Sequence, residues 1–273
     1  MDKKLLRNLQ LVELEILRAV KKVCEDYGIH YYLSGGTLLG AVRHEGFIPW
    51  DDDIDISMEY SEYLRFCDVA QEALGNQFFV QNTNTDSEFS FAYTKVRKNN
   101  TKLMSPWEAG TPGHHGVWID IIPLININPK EFKLKKNLLT ATNVSLLNNE
   151  AFKKGKTWLE EQSSKRVVNL VSAVRIVPFP IRKKVCQLIR KQIFKRTEST
   201  HVSEVWGSIT SVLPKTVYFG EPKMLVFEGE LFPAPHGYHE YLTLTYGNYM
   251  TPPPESERNG GHGEIIVDLE SAL

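Results

Sequence analysis

The sequence predicts a mixed α/β fold, and three observations carry this prediction. Apolar residues recur at three- and four-residue steps over residues 3 to 27, which is typical of an amphipathic helix. Short runs rich in aromatic and β-branched residues follow, and turn-forming residues separate them, as is typical of strands. With 42% apolar residues among 273, the chain is long enough to bury a sizeable core.

The first elements alternate between helix and strand. The helix over 3 to 27 is expected to end at Gly28. HYYLSGG predicts a short strand that runs into a glycine turn, and TLLGAVRH predicts a short helix that opens at that turn. IDISM predicts a second strand by its alternation, and the next helix is expected from Ser61 to about Ala73.

Three further strands are expected in the first half of the chain, in FFVQN, FSFAYTKV and GVWIDIIPL. From Lys130 to Arg196 the composition changes to seventeen Lys or Arg against four Glu, with apolar residues at helical spacing around two prolines. The remaining tail is aromatic and rich in turn residues. We therefore predict a mixed α/β core over 1–129, a basic helical segment over 130–200 and a C-terminal segment over 201–273 that packs on the core.

Composition excludes several classes of protein. A formal net charge of −1 predicts no nucleic-acid partner. The N-terminus has charges every few residues, unlike a signal peptide, and no apolar run approaches the eighteen residues of a spanning helix. The three cysteines are odd in number and far apart, so neither a disulfide framework nor a zinc site is expected. These features predict a cytoplasmic protein.

Four aspartates crowd into the five positions of DDDID, residues 51 to 55. Asp53 and Asp55 flank Ile54, and residues i and i+2 of a strand point the same way, so these two carboxylates are expected to converge. Paired carboxylates suit Mg²⁺, a hard ion that takes oxygen ligands. Asp51 and Asp52 are expected to be turn residues or to support the ligands.

A third carboxylate, Asp120, lies among apolar neighbours in WIDIIPL. An unpaired charge in a buried strand is costly, so Asp120 is expected to face the same metal. A solvated acidic loop or a calcium site remain alternatives for this acidic cluster.

A phosphate site is expected where Ser34, Gly35, Gly36 and Thr37 follow a strand and open a helix, because bare N–H groups there can approach an anion closely. Arg43, Lys95 and Arg97 are candidates to hold phosphate oxygens. For Lys95 and Arg97, an ordinary pair of charges on an edge strand is the alternative.

The stretch GGTLLGAVRHEGFIPWDDDIDI is very similar to the signature of the LicD family. WIDIIPL and PAPHGYHEYLTLTYGNYMTPPP resemble later blocks of the same family, and Glu45 stands where a glycine is common. The resemblance implies a nucleotidyltransferase-like mixed sheet core with flanking helices. It also implies a phosphotransferase that moves phosphocholine from CDP-choline to a sugar hydroxyl of a teichoic acid or lipopolysaccharide precursor and releases CMP. Fukutin-type relatives use CDP-ribitol.

The resemblance also implies roles for the candidate residues. One or two Mg²⁺ ions, held by Asp53, Asp55 and Asp120, would bridge the donor pyrophosphate. Asp120 is the first candidate to accept the proton of the acceptor hydroxyl, and His44 and His115 are weaker ones.

Choline is a quaternary ammonium, so its site should offer aromatic faces. The candidates for this aromatic cage are Trp50, Tyr93, Trp107 and Trp118. A ribitol donor would need polar groups instead, and the sequence leaves that alternative open.

The basic segment predicts peripheral contact with an anionic membrane at the inner face of the cell membrane, where a lipid-linked glycopolymer precursor would be the acceptor. A solvated helical subdomain is the alternative. Two other functions stay open: a nucleotidyltransferase that releases pyrophosphate, and a noncatalytic module that binds choline or an anionic polymer.

Overall fold

The fold is built around one mixed sheet in a computed structural model that describes residues 2–104, 112–149, 151–153, 165–195, 197–206, 208–258 and 266–269. Its strands are β1 (Tyr32–Leu33), β2 (Asp55–Glu59), β3 (Phe78–Gln81), β4 (Thr94–Lys98), β6 (Trp118–Asn126), β7 (His201–Glu204) and β8 (Leu213–Pro214). The order is β1-β2-β6-β4-β3, and β7 pairs with the end of β6 and with β8. β2 and β6 run parallel, and the other pairings are antiparallel. This is the mixed α/β fold that the sequence predicts.

Helices cover the sheet, beginning with α1 (Lys3–Tyr27), α2 (Gly35–His44) and α3 (Tyr60–Leu74). α1 begins at a cap in which the Leu5 N–H donates to Asp2 Oδ1, and it ends at Gly28 with φ of 60°. It packs on α3, β4 and β6 through a continuous apolar face. The predicted bounds of α1 are confirmed, because its apolar spacing and its two caps agree.

Two separate two-stranded sheets accompany this sheet. β9 (Lys223–Phe227) pairs with β10 (Glu230–Ala234), and this hairpin contacts α2 and β1. β5 (Lys102–Met104) pairs with β11 (Ile266–Asp268). The short α7 (Lys215–Tyr218) and α8 (Tyr238–Tyr246) pack on each other beside β1.

The described part of the basic segment is helical, as its spacing predicts: α4 (Phe132–Leu146), α5 (Lys165–Val174) and α6 (Phe179–Phe194). α4 packs against both α5 and α6. Two of the basic side chains of α6 are internal. Arg190 donates to Asn143 Oδ1 at 2.6 Å and to the Ser90 carbonyl, and Arg182 donates to the Arg175 carbonyl at 2.9 Å. Part of the positive charge of the basic segment is therefore buried and hydrogen-bonded within the protein.

One predicted strand is wrong in extent. FSFAYTKV forms a strand only from Thr94, because Phe89, Phe91 and Tyr93 pack as an aromatic cluster with ring centroids 5.6 to 5.7 Å apart. Aromatic residues are enriched in buried segments as well as in strands. Here these three residues pack into a cluster without pairing as a strand. The strands β5, β7, β8 and β11 were not predicted, because each is too short to show an alternating pattern in the sequence.

Within the described ranges, no helix combines the length and the apolar character that crossing a bilayer requires.

We predict that Gly40→Ala in α2 destabilises the fold more than Gly28→Ala does. A Cβ at Gly40 would lie 2.4 Å from the backbone oxygen of Gly46, whereas a Cβ at Gly28 meets nothing within 4 Å and suffers only from its positive φ. We expect a loss of about 1 to 2 kcal/mol for Gly28→Ala and a larger loss for Gly40→Ala. Urea unfolding of both variants measures the difference, and equal losses would contradict the packing described here.

Candidate active site

The turn between β1 and α2 brings bare backbone against two carboxylates. Gly35 has φ of 53°, and a Cβ there would lie 2.9 Å from Trp206 Cη2 and 3.1 Å from Asp55 Oδ2. A Cβ at Gly36 would lie 2.6 Å from Asp51 Oδ2. Any other residue at these positions would displace the acidic side chains, so the two glycines allow the close approach.

Asp55 is fixed by the same turn. The Ser34 N–H donates to the Asp55 carbonyl at 3.1 Å, and the Asp55 N–H donates to Thr37 Oγ1 at 2.8 Å. Asp55 is also in register with Asp120 across the parallel pair β2 and β6. The structure therefore brings together the predicted Ser34 to Thr37 turn, Asp55 and Asp120.

The Asp55 carboxyl is deeply buried at 2% exposure. Its Oδ1 has no hydrogen-bond partner among the described residues. Burial raises the pKa of Asp55 well above its usual range, and the charges of Asp53, Asp120, Asp51 and Glu204 add to that rise. Several like charges thus converge on one buried oxygen.

The preceding loop holds a second group of carboxylates. One oxygen from each of Asp51, Asp52 and Asp53 lies within 4.8 Å of the others. β2 begins only at Asp55, so Asp53 lies outside the strand. The prediction that strand alternation points Asp53 and Asp55 the same way is therefore wrong. Asp53 reaches the site from the loop, and Asp51 and Asp52 lie beside it.

Lys95 lies on β4, which pairs with β6 on the side away from β2, and it is in register with Asp120. Its Nζ lies 2.9 Å from Asp120 Oδ1, and both side chains are buried. The same ammonium lies 3.9 Å from the ring centroid of Trp118 and 5.6 Å from that of Tyr93. The rings of Trp118 and Tyr93, both predicted for choline, therefore already contact a cation of the chain.

The two arginines predicted for phosphate have different surroundings. Arg97 is fully buried, donates to Gln81 Oε1 at 2.5 Å and to the Gly116 carbonyl at 2.8 Å, and lies 4.8 Å from the Trp118 ring. Arg43 is partly exposed and donates to the Tyr249 carbonyl at 2.8 Å. Burial and Arg258 lower the pKa of Arg43, and Asp51 opposes this. Arg43 is thus near the acidic loop, and Arg97 is part of the core.

The remaining predicted residues lie around the site or outside the described chain. Trp50 packs edge-on against His44, with centroids 6.3 Å apart, and Arg258 lies 4.9 Å from the Trp50 ring. Burial lowers the pKa of His44, and Arg43 lowers it further. His115 precedes β6, where its carbonyl accepts from the Leu103 N–H. Trp107 lies outside the described residues.

Sequence reasoning missed Glu204, a buried carboxylate on β7. It accepts hydrogen bonds from Tyr218 at 2.5 Å, from Tyr241 at 3.1 Å, from Trp206 at 3.2 Å and from Ser34. The Tyr241 hydroxyl also accepts from the Gly35 N–H at 3.1 Å. Glu204 therefore holds the glycine turn in place through hydroxyl groups.

Two aromatic residues near the turn were also missed. Trp206 covers Gly35, as described above, and it is partly buried against the cluster of Phe89 and Tyr93. Tyr246 ends α8 and is 42% exposed, while burial of its hydroxyl raises its pKa and the charges of Asp55 and Glu204 raise that pKa further. Both residues lie far from the glycine turn in sequence.

Comparison with known proteins agrees with this geometry. Residues 28–136 match the LicD/FKTN/FKRP nucleotidyltransferase domain. Over 271 residues the chain is 34% identical to the lipopolysaccharide cholinephosphotransferase LicD of Haemophilus influenzae, covering 96% of this chain and 97% of the relative. The chain belongs to the LicD family. Human ribitol 5-phosphate transferase FKRP is 46% identical over 59 residues, which is 22% of this chain and 12% of that protein.

Membership of the LicD family makes the protein a phosphotransferase. The resemblance that the sequence motifs indicated is confirmed, and so is the enzyme class.

The residues of the site fit a hard divalent cation. The buried Asp55 Oδ1 lacks a hydrogen-bond partner within the described chain, and the Asp51 to Asp53 oxygens lie close together. Carboxylate oxygens are the ligands that Mg²⁺ takes in proteins. The repulsion between these groups is what a bound cation would relieve.

We predict that Tyr241→Phe destabilises the protein. The change removes a donor to buried Glu204 and the acceptor of the Gly35 N–H, so we expect a loss of about 1 to 3 kcal/mol in urea unfolding. Tyr27→Phe, at a tyrosine that is 45% exposed, is the control and should change stability by less than about 0.5 kcal/mol. Equal stability of the two variants would contradict the role assigned to the Glu204 network.

Proposed function

We propose that this LicD-family protein transfers phosphocholine from CDP-choline to a sugar hydroxyl of a lipid-linked cell-wall glycopolymer precursor. The supporting observation is the match to a cholinephosphotransferase along 96% of the chain, compared with 22% for FKRP. That relative is named for lipopolysaccharide. A teichoic acid precursor is our proposed acceptor here.

In the proposed reaction, the acceptor hydroxyl attacks the phosphorus that bears choline. The new P–O bond forms as the bond to the CMP oxygen breaks, and CMP leaves with the electron pair. The hydroxyl proton passes to a carboxylate of the site, for which Asp120 is our first candidate. No covalent enzyme intermediate is needed, so positioning and charge stabilisation carry the catalysis.

The donor phosphates are proposed to bind at the start of α2. The N–H groups at the N-terminus of a helix attract anions, and Gly35 and Gly36 carry no side chain that would keep a phosphate away. Arg43, which is partly exposed near Asp51, supplies a positive charge for the same phosphates. Arg97 is left out of this proposal because its guanidinium bonds within the core.

Asp53, Asp55 and Asp120 are proposed to hold Mg²⁺, with Asp51 and Asp52 beside them. When bound, the ion would neutralise charge on the diphosphate. Lys95, ion-paired with Asp120, holds that carboxylate in its orientation at the buried side of the site.

The choline group is proposed to contact Trp206 and Tyr246 rather than the rings of Trp118 and Tyr93. A quaternary ammonium binds to aromatic faces. Lys95 already lies over Trp118, whereas Trp206 lies against Gly35, and the charges of Asp55 and Glu204 act on Tyr246.

We predict that the purified protein releases CMP from CDP-choline in the presence of Mg²⁺ and an acceptor extract, and that EDTA stops the release. Parallel incubations use CDP-ribitol and CTP, and nucleotide products are separated by anion-exchange chromatography. CMP from CDP-ribitol alone would replace the choline assignment with ribitol. Pyrophosphate from CTP would instead make the protein a nucleotidyltransferase.

We predict that Asp53→Asn lowers CMP release by at least about 100-fold, because loss of one ligand removes several kcal/mol of transition-state stabilisation. Asp26→Asn is the control, since Asp26 is exposed at the end of α1 and pairs with Lys22. Unfolding curves for both variants establish that the fold is retained. A folded Asp53→Asn variant with full turnover would contradict the proposed role of Asp53 as a metal ligand.

We further propose that α6 contacts an anionic membrane. Its outer face carries Ile181, Val185 and Leu188, which are 56%, 42% and 65% exposed. Their spacing places them on one stripe, and exposed Lys184 and Lys191 flank it. Apolar residues beside lysines favour the headgroup region of anionic lipid. This surface would hold the enzyme where a lipid-linked acceptor lies, at the inner face of the cell membrane.

We predict that the protein sediments with vesicles containing phosphatidylglycerol and not with pure phosphatidylcholine vesicles. Replacing Ile181 and Leu188 together by Ser should abolish most of the binding. Leu244→Ser is the control, since Leu244 is 57% exposed on α8, away from this stripe. Binding that is independent of anionic lipid, or unchanged in the double variant, would refute membrane contact through α6.

A further inference from the structure

Helix α1 brings a carboxyl group to the acidic loop from outside the motif. Glu13 lies in the middle of α1 and is fully buried, at 0% exposure. Gln10, three residues earlier, donates from Nε2 to the Asp51 carbonyl at 2.9 Å. Residues three apart share a helix face, so Glu13 faces the same loop as Gln10.

Neither oxygen of Glu13 has a hydrogen-bond partner among the described residues, although both are buried. The charges that act on it come from Asp53, Asp52, Asp51 and Asp120, in decreasing order. Burial is the larger cause of the raised pKa of Glu13, and these four carboxylates raise it further. The unpartnered side chain therefore faces the acidic loop, to which Gln10 on the same helix face is hydrogen-bonded.

A buried carboxyl without partners costs several kcal/mol, so such a group in the middle of a core helix needs an explanation. The neighbouring α1 positions Leu9, Ile16 and Leu17 are apolar, and an apolar residue would pack at position 13 without that cost. Asp55 Oδ1 is a second buried oxygen without a partner at the same site. A divalent cation would supply the partner that the Glu13 oxygens and Asp55 Oδ1 lack among the described residues.

We propose that Glu13 contributes its carboxylate to the divalent-cation site of the Asp51 to Asp53 loop. Glu13 then joins Asp53 from a helix that precedes the glycine turn, and it ties α1 to the occupied site. The inference rests on the proposed function only in requiring a divalent cation. It assigns to the site a residue that lies outside the DDDID motif.

The test is direct measurement of cation binding to the full chain. Mn²⁺ is titrated and followed by electron paramagnetic resonance, and thermal unfolding is recorded with and without Mg²⁺. We expect Glu13→Gln to weaken Mn²⁺ binding by about 10-fold or more. Without metal, the same variant should unfold at a higher temperature than the wild type, since it removes a buried carboxyl from among four others. The stabilisation by Mg²⁺ should shrink.

Glu15→Gln is the matched control on the same helix, because Glu15 is half exposed and pairs with Lys98 at 2.5 Å. It should keep the wild-type affinity for Mn²⁺. Glu13→Asp is the second variant, which retains the charge and shortens the side chain, and it should also bind Mn²⁺ more weakly.

Wild-type Mn²⁺ affinity in folded Glu13→Gln or Glu13→Asp would overturn the inference. If the wild-type enzyme still released CMP in that case, the proposed function would stand without Glu13. Absence of Mn²⁺ binding by the wild type would overturn both the inference and the metal-dependent part of the proposed function.

Discussion

The parallel pairing of β2 with β6 is the constraint on which the site depends. It places Asp55 opposite Asp120. The neighbouring isoleucines, Ile54 and Ile56 on one side and Ile121 on the other, are fully buried. Each fully buried isoleucine contributes about 1.5 to 3 kcal/mol, so the apolar core holds the two carboxylates together against their repulsion. The stability of the sheet therefore keeps negative charge concentrated next to the N-terminus of α2.

Local features of the sequence predicted much of this arrangement. The apolar spacing of α1 and its terminal Gly28 gave both ends of that helix. The glycine pair, Asp55 and Asp120 were found because buried charge and bare backbone in apolar surroundings are rare enough to be noticed from a single sequence. The family resemblance extended these local observations to a phosphotransferase.

Residues that reach the site through tertiary structure could not be predicted in this way. Glu204 lies 170 positions after Ser34, to which it is hydrogen-bonded, and nothing in the sequence around Glu204 indicates a buried acid. Glu13 has ordinary helical surroundings, where a glutamate is expected on the solvent side. The aromatic faces of Trp118 were assigned to choline because sequence cannot show that Lys95 lies over that ring. In each case the question is which surface a side chain faces, and only the packing determines that.

The match to the nucleotidyltransferase domain starts at residue 28, yet α1 lies wholly before it and is one wall of the core. α1 is also joined to the β9–β10 hairpin near the other end of the chain, since Arg7 pairs with Glu228 at 2.6 Å and Arg18 with Glu230 at 2.5 Å. A recombinant fragment limited to residues 28–136 would lack both α1 and the β9–β10 hairpin. The apolar face of the sheet that α1 covers would then be exposed to solvent. The stretch that matches the family domain is therefore shorter than the stretch whose residues pack into the core.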